Sequence, residues 1–241
     1  MIVEICANSF ESAKAAKEGG ADRIELCAEL SVGGLTPSHG LIEKVMAELD
    51  IPVHVLIRPR SGNFTYSKDE IEVMAKDIVY CQKLWCSGVV CGALTSKNEV
   101  DVETTRRLMG AAAGMDFTFH RAFDWSREPH TALDALIRLG VTRLLSSGQE
   151  SKAIDGISLL KELRKNSKGL IEIMPGSGIS VENVLTFKEA GFKSIHLSAS
   201  AKRQVLQKKP TVSMHSFSFF EEGIIGTSNK ETIQKIVQLL A

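Results

Sequence analysis

A chain of 241 residues, 44% of them apolar and 24% charged, is long enough to bury a full hydrophobic core. Its 29 basic side chains are balanced by 29 acidic ones, which gives no electrostatic reason to expect nucleic acid or an anionic membrane as a partner. No apolar run is long enough to span a bilayer and no leader-like segment opens the chain, so a cytoplasmic location is expected; five cysteines without regular spacing suggest reduced thiols rather than a disulfide framework.

In chain order the strand-like runs are IVEIC (2–6), RIELC (23–27), VHVLIRP (53–59), GVVCGAL (88–94), DFTFHRA (116–122), RLLSSG (143–148), IEIMPG (171–176) and SIHLSA (194–199). Segments of helical periodicity separate them. SKDEIEVMAKDIVYCQKL opens with Ser67 and Glu70 in capping-box spacing, and Gly19–Gly20, Gly140 and Gly191 stand where a helix would end just before the next strand. Eight such units, the last helix being NKETIQKIVQLLA, predict an α/β fold in which a single domain over 1–241 forms a (β/α)8 TIM barrel; an open doubly wound sheet is the alternative. Two connections are longer than this scheme needs: RPRSGNFTYSKD after the third strand, and an insertion at about 200–228, before the last helix, that contains the apolar run SFSFF. The first is expected to serve binding. The second is expected to cover a barrel end or meet another subunit, so a homo-oligomer, most simply a dimer, is expected.

Alternate side chains of a barrel strand face the helices and must be apolar. Val3 and Ile5, Ile24 and Leu26, Val53, Val55 and Ile57, Phe117 and Phe119, Ile171 and Ile173, and Ile195 and Leu197 supply that outward set. The inward set is then Glu4 and Cys6, Glu25 and Cys27, His54 and Arg58, Thr118 and His120, Glu172 and Met174, and His196 and Ser198, where ordinary barrels carry branched apolar residues. Buried charges in such number have to be paired or neutralised, which either a structural network or a working site would do. Several fall near strand C-termini, where barrel enzymes keep their sites. Glu4, Glu25, Arg58 and His120 are therefore candidate catalytic residues, the carboxylates and imidazole for proton transfer and the guanidinium to clamp an oxyanion.

Cys6 and Cys27 close the repeated E-x-C pattern of neighbouring strands and are candidate ligands for a soft metal such as copper(I) or zinc, although buried thiols also behave as small hydrophobes. IMPGSGIS (173–180) leaves the seventh strand through a glycine-rich turn; Gly176, Ser177 and Gly178, with Ser198 of HLSAS, are candidates for binding phosphate or another small anion. Ser146 and Ser147 offer hydroxyl donors, and Arg60 is expected to be solvated. There is no G-x-S-x-G elbow and no H-E-x-x-H, so no nucleophile is assigned and no organic cofactor is implied.

With these residues in hand, the chain resembles the CutC copper-homeostasis family through VEIC, GGADRIELC, GGLTPSHG, IRPRSGNFTYSKDEIEVMAKDI, TFHRAFD, LLSSG, IMPGSGI and HLSAS, in that order over at least residues 2–200. It departs at Ser61 and Asn63, where a Gly and an Asp are usual, at Ser177, where a Gly is usual, and at Ser200, where an Arg is often found. The resemblance implies a TIM barrel, a cytoplasmic oligomer and copper tolerance or copper(I) binding, with the family's proposed copper cysteines falling on Cys6 and Cys27. Three readings follow: a copper-homeostasis protein using these thiols, a barrel enzyme acting on a small anionic or phosphorylated metabolite, and an oligomeric scaffold whose polar interior is structural.

Overall fold

The structure, a computed structural model, describes residues 1–208, 212 and 224–241. Strands β1 (Ile2–Ala7), β2 (Arg23–Leu26), β3 (Val53–Leu56), β4 (Gly88–Cys91), β5 (Asp116–Phe119), β6 (Arg143–Ser146), β7 (Glu172–Pro175) and β8 (Ser194–Leu197) form one parallel sheet in the order β7-β6-β5-β4-β3-β2-β1-β8. A parallel bridge between Gly176 and His196 joins the two ends of the sheet, closing it into a barrel. Helices α1 (Phe10–Glu18), α2 (His39–Glu48), α3 (Lys68–Lys83), α4 (Val102–Ala111), α5 (Pro129–Leu139), α6 (Ile157–Asn166), α7 (Val184–Glu189) and α8 (Lys230–Leu240) alternate with these strands, giving the (β/α)8 architecture that the alternation predicts. Most strands are shorter than the apolar runs suggest. GVVCGAL and DFTFHRA, for example, leave the ladder after Cys91 and Phe119, and their remainders become loops at the C-terminal mouth.

The local signals act as expected. Ser67 and Glu70 form a complete capping box at the start of α3, and Gly140 and Gly191, both at φ 78°, take the left-handed conformation that ends a helix. Helix α8 buries Ile233, Ile236 and Leu240 on one face and closes the helical ring against α1 and α7. Gly19 leaves room for that packing, since a Cβ there would lie 2.7 Å from Cγ2 of Ile233.

The outward strand residues and the inner helix faces make one continuous apolar shell around the barrel. Inside it lies a small apolar cluster of Cys6, Cys27, Leu56 and Val90, with Leu30 packed against it. Glu4, Glu25, His54, Arg58, Thr118 and His120 are all buried, as the alternation requires.

The insertion before α8 holds an antiparallel pair that sequence reading does not foresee, β9 (Ser200–Gln204) with β10 (Ile224–Ser228). It is tied back to the barrel where Ser228 N–H donates to Ser12 Oγ at 3.0 Å and Asn8 Nδ2 donates to Gly226 O at 3.3 Å. The SFSFF run lies outside the described residues. Among the described residues no helix is long and apolar enough to cross a membrane.

Candidate active site and thiol pair

The polar interior has a floor built from the residues that open the strands. Arg23 Nε meets Glu4 Oε2 at 2.5 Å. Arg143 Nε donates to Glu172 Oε2 at 3.1 Å, its Nη1 donates to Thr118 Oγ1 at 3.1 Å, and its Nη2 lies 3.5 Å from Asp116 Oδ2. Ser194 Oγ donates to Glu172 as well. Burial holds the His54 imidazole in this layer down to about 4, although Glu4 opposes the shift. Sequence reading passes over both arginines. Arg23 shares the parity of Glu25 and Cys27 but opens the RIELC run and is left out of the inward set, and Arg143 precedes the unbroken pair Leu144–Leu145, which hides the alternation. The counter-ion of Glu4 is thus Arg23.

Glu4 connects this floor to the mouth, because its Oε1 pairs with His196 Nδ1 at 2.8 Å. Burial alone would raise the Glu4 pKa, but the hydrogen bond and charge of His196, with Arg23 and His54, hold the carboxyl well below the ordinary range. His196 is pushed up in turn: burial opposes its charge, and Glu25 and Glu4 together outweigh burial. Burial raises Glu25, with the neighbouring Glu4 charge adding to it and His196 opposing. Two carboxylates flank one imidazole with opposite tendencies, Glu4 as a fixed anion and Glu25 as a group that can hold a proton. Glu25 Oε2 lies 3.9 Å from His196 Nδ1 and has no hydrogen-bond partner among the described residues.

Above them a cavity of about 340 Å³ opens among the C-terminal ends of the strands, with Cys6, Glu25, Arg58, His120, His196 and Gly178 among its walls. Glu4 does not reach it. Cys6 Sγ lies 3.4 Å from Cys27 Sγ and donates to Glu25 Oε1 at 3.5 Å, an approach set by the parallel register that places Cys6 opposite Glu25. The contact with Cys27 and then burial push the Cys6 thiol well up. Cys27 is fully buried behind Cys6 and is not part of the cavity wall. Ligand atoms of Cys6, Glu25 and His196 all lie within 4.8 Å of one another.

The loop after β3 forms another wall. Arg58 Nη1 donates to the carbonyls of Val32 at 2.7 Å and Gly34 at 2.9 Å, its Nη2 donates to Gly62 O at 3.3 Å, and its guanidinium lies 5.0 Å from the Phe64 ring centre. His120 Nδ1 accepts from Ala122 N–H at 3.2 Å. Burial, then the Arg58 charge, pushes this imidazole down to about 3. Arg60 is not simply solvated: it lies 2.5 Å from Glu70 Oε1, so the capping carboxylate of α3 also anchors the loop.

Ser146 and Ser147 are already engaged, donating to Asp124 at 2.6 and 2.8 Å, and Arg121 Nε reaches the same carboxylate at 2.8 Å. In the glycine turn, Gly176 N–H donates to Ser146 O at 3.0 Å and therefore belongs to the sheet. Ser177 at φ 88° and Gly178 at φ 67° follow in the left-handed region, and the bond of 2.8 Å from Ser177 Oγ to Ser151 O ties down a side chain where glycine would be at ease. Ser177, Gly178 and Ser198 line the cavity.

Fold and site together define a (β/α)8 barrel with an ion-paired floor and a polar, thiol-bearing cavity at its C-terminal mouth. The chain belongs to the CutC family, whose family model matches residues 1–201. It is 42% identical over 237 residues to the CutC family protein of Glaesserella parasuis, covering 98% of this chain and 93% of that one. To its counterpart in Chromobacterium violaceum it is 47% identical over 204 residues, or 85% of this chain and 82% of the other. The crystal structure of CutC from Streptococcus agalactiae superposes with a TM-score of 0.78 at 35% identity, covering 82% of this chain and 98% of that one.

Proposed function

We propose that this chain is a copper-homeostasis protein that carries copper(I) on Cys6 and Cys27. The observation behind this reading is the pair of buried thiols 3.4 Å apart, with the imidazole of His196 and the carboxylate of Glu25 beside Cys6. Thiolate sulfur favours copper(I) over hard cations, and a bound metal ion displaces the thiol proton that burial otherwise retains. The Streptococcus agalactiae CutC, named for copper homeostasis, lends support. Anaerobic competition against a chromophoric copper(I) chelator tests it. Cys6→Ser and Cys27→Ser should each bind copper(I) far more weakly than Cys81→Ser, whose thiol is buried on α3 outside the barrel interior. Equal affinities in the three variants would sink the assignment.

A separate observation favours a second reading, an enzyme acting on a small anionic metabolite. Glu25 Oε2 and His120 Nε2 are buried polar atoms on residues that line the cavity, and neither has a hydrogen-bond partner among the described residues. A purely structural network would satisfy such atoms. In this reading Glu25 and His196 exchange a proton with the metabolite while Glu4 stays ionised behind them. Incubation with a cell metabolite extract, followed by mass spectrometry, should reveal a compound that the wild type consumes and Glu25→Gln spares. Identical metabolite profiles for the two proteins would refute this reading.

A further inference from the structure

We infer that Arg58 and His120 together form a binding point for a carboxylate group, so that the cavity takes a small organic acid with a single negative charge at that end. This deepens the enzyme reading by naming its substrate class.

The argument begins with charge. The barrel's other buried arginines are matched to carboxylates, Arg23 to Glu4 and Arg143 to Glu172 and Asp116. Arg58 is equally buried, at 5% exposure, yet no carboxylate among the described residues pairs with it. Its partners are the backbone carbonyls of Val32, Gly34 and Gly62, which fix its orientation without neutralising its charge. A desolvated cation held in place but left without a counter-ion calls for an anion from outside.

The donors narrow the choice. Both Nη atoms of Arg58 are engaged by those carbonyls and the Tyr66 hydroxyl stands beside the guanidinium, while Nε makes no hydrogen bond among the described residues. In His120, Nδ1 accepts from Ala122 N–H, so the neutral ring carries its proton on Nε2, which is unpartnered too. His120 is 5% exposed, it lines the same cavity as Arg58, and Phe64 packs against both, 5.0 Å from the imidazole and 5.0 Å from the guanidinium. The corner therefore holds one positive charge and two unpartnered N–H groups, both covered from solvent until the side chains turn toward a ligand. A carboxylate matches it with two oxygens and one negative charge. A phosphate dianion would bring a second charge that finds no free cation among the described residues of the wall, since Arg121 is held by Asp124 and Ser147 and His196 by Glu4. A cavity of about 340 Å³ lies at the low end of ligand-site volumes, which suits a small acid.

The test uses the full chain with acetate and glycolate, their neutral amides acetamide and glycolamide, and inorganic phosphate, all at matched ionic strength and read by ligand-observed NMR. The carboxylates should bind at least tenfold more tightly than the amides or phosphate. His120→Phe and Arg58→Lys should each weaken acetate binding roughly tenfold, the size of one hydrogen bond to a charged group. Thermal melting of both variants shows that they are folded. The inference is overturned if acetate binds no better than acetamide, if phosphate binds more tightly than acetate, or if both folded variants keep wild-type affinity. Turnover of a metabolite without a carboxylate would overturn this assignment and leave the enzyme reading standing. Carboxylate binding with no metabolite consumed would sink the enzyme reading and leave the subsite.

Discussion

Glu4→Gln should lower the free energy of unfolding by about 3–5 kcal/mol, the loss typical of a buried ion pair deprived of one partner. The substitution keeps the shape of the side chain and removes only its charge. Glu4 is wholly inaccessible to solvent and serves three cationic or ionisable partners, Arg23 at 2.5 Å, His196 at 2.8 Å and His54 at 3.9 Å. Without that charge, Arg23 has no anionic partner among the described residues, and its other side-chain contact is Met174 Sδ at 3.7 Å, a weak acceptor. Glu25→Gln is the control: with no arginine paired to it, its loss should stay near 1 kcal/mol. The variants also differ in acid. The folded-state pKa of Glu4 lies below the unfolded one, so its contribution is present above the ordinary glutamate value of 4.5 and is lost as pH falls through the folded value. Urea denaturation of both variants measures this, and a loss below about 1 kcal/mol for Glu4→Gln would show that the floor does not depend on its charge.

The second large effect is a steep loss of stability on mild acidification. His54 and His120 are held down to about 4 and about 3 from an ordinary 6.5, so each stays neutral in the folded protein while the unfolded chain takes up a proton. Their contribution is intact above pH 6.5 and falls as pH drops from there toward the folded values. Each histidine then costs up to about 1.4 kcal/mol per pH unit. His196 behaves differently: its folded pKa is raised, so its stabilisation is complete below the ordinary histidine value and is lost only as pH rises through the folded value. Glu25, also raised, returns some stability as acid protonates it in the folded state. Comparing wild type with His120→Phe isolates one imidazole. The variant should show a slope shallower by about 1 kcal/mol per pH unit between roughly pH 6 and 4.5. Parallel profiles would mean that His120 is already charged in the folded protein.

The barrel is legible in the sequence because period-2 alternation recurs in most of its strands, and the polar interior follows from the same parity at Glu4, Glu25, His54 and His120. Which group meets which is not legible, since partners depend on the stagger between strands. Glu4 aligns with Arg23, and Cys6 aligns with Glu25 rather than with Cys27. Arg58 looks from the sequence like a clamp for an oxyanion, whereas the loop after β2 supplies carbonyls that engage its Nη1 first. Ser146 and Ser147 read as free hydroxyls because nothing local announces Asp124, more than twenty residues earlier, as their acceptor. The β9–β10 pair escapes notice because no tight-turn signal links its two halves.

The seam between β7 and β8 bears on the order in which the site comes into being. β8 is laddered to β1 from Ile2 opposite Ser194 to Ile5 opposite Leu197, and on its other side it meets β7 through the bridge at Gly176 and the Ser194–Glu172 side-chain bond. Closure therefore depends on a pairing in which Glu4 and His196 are 192 positions apart, and such non-local pairings form slowly. Arg23 is only 19 positions from Glu4, and Cys27 is 21 from Cys6. On the ribosome the first βαβ unit can thus bring the two thiols together and neutralise Glu4 with Arg23 while most of the chain is still unmade. His196 joins them only when the barrel shuts, so any chemistry that needs both sulfur and imidazole stays switched off until synthesis is nearly complete.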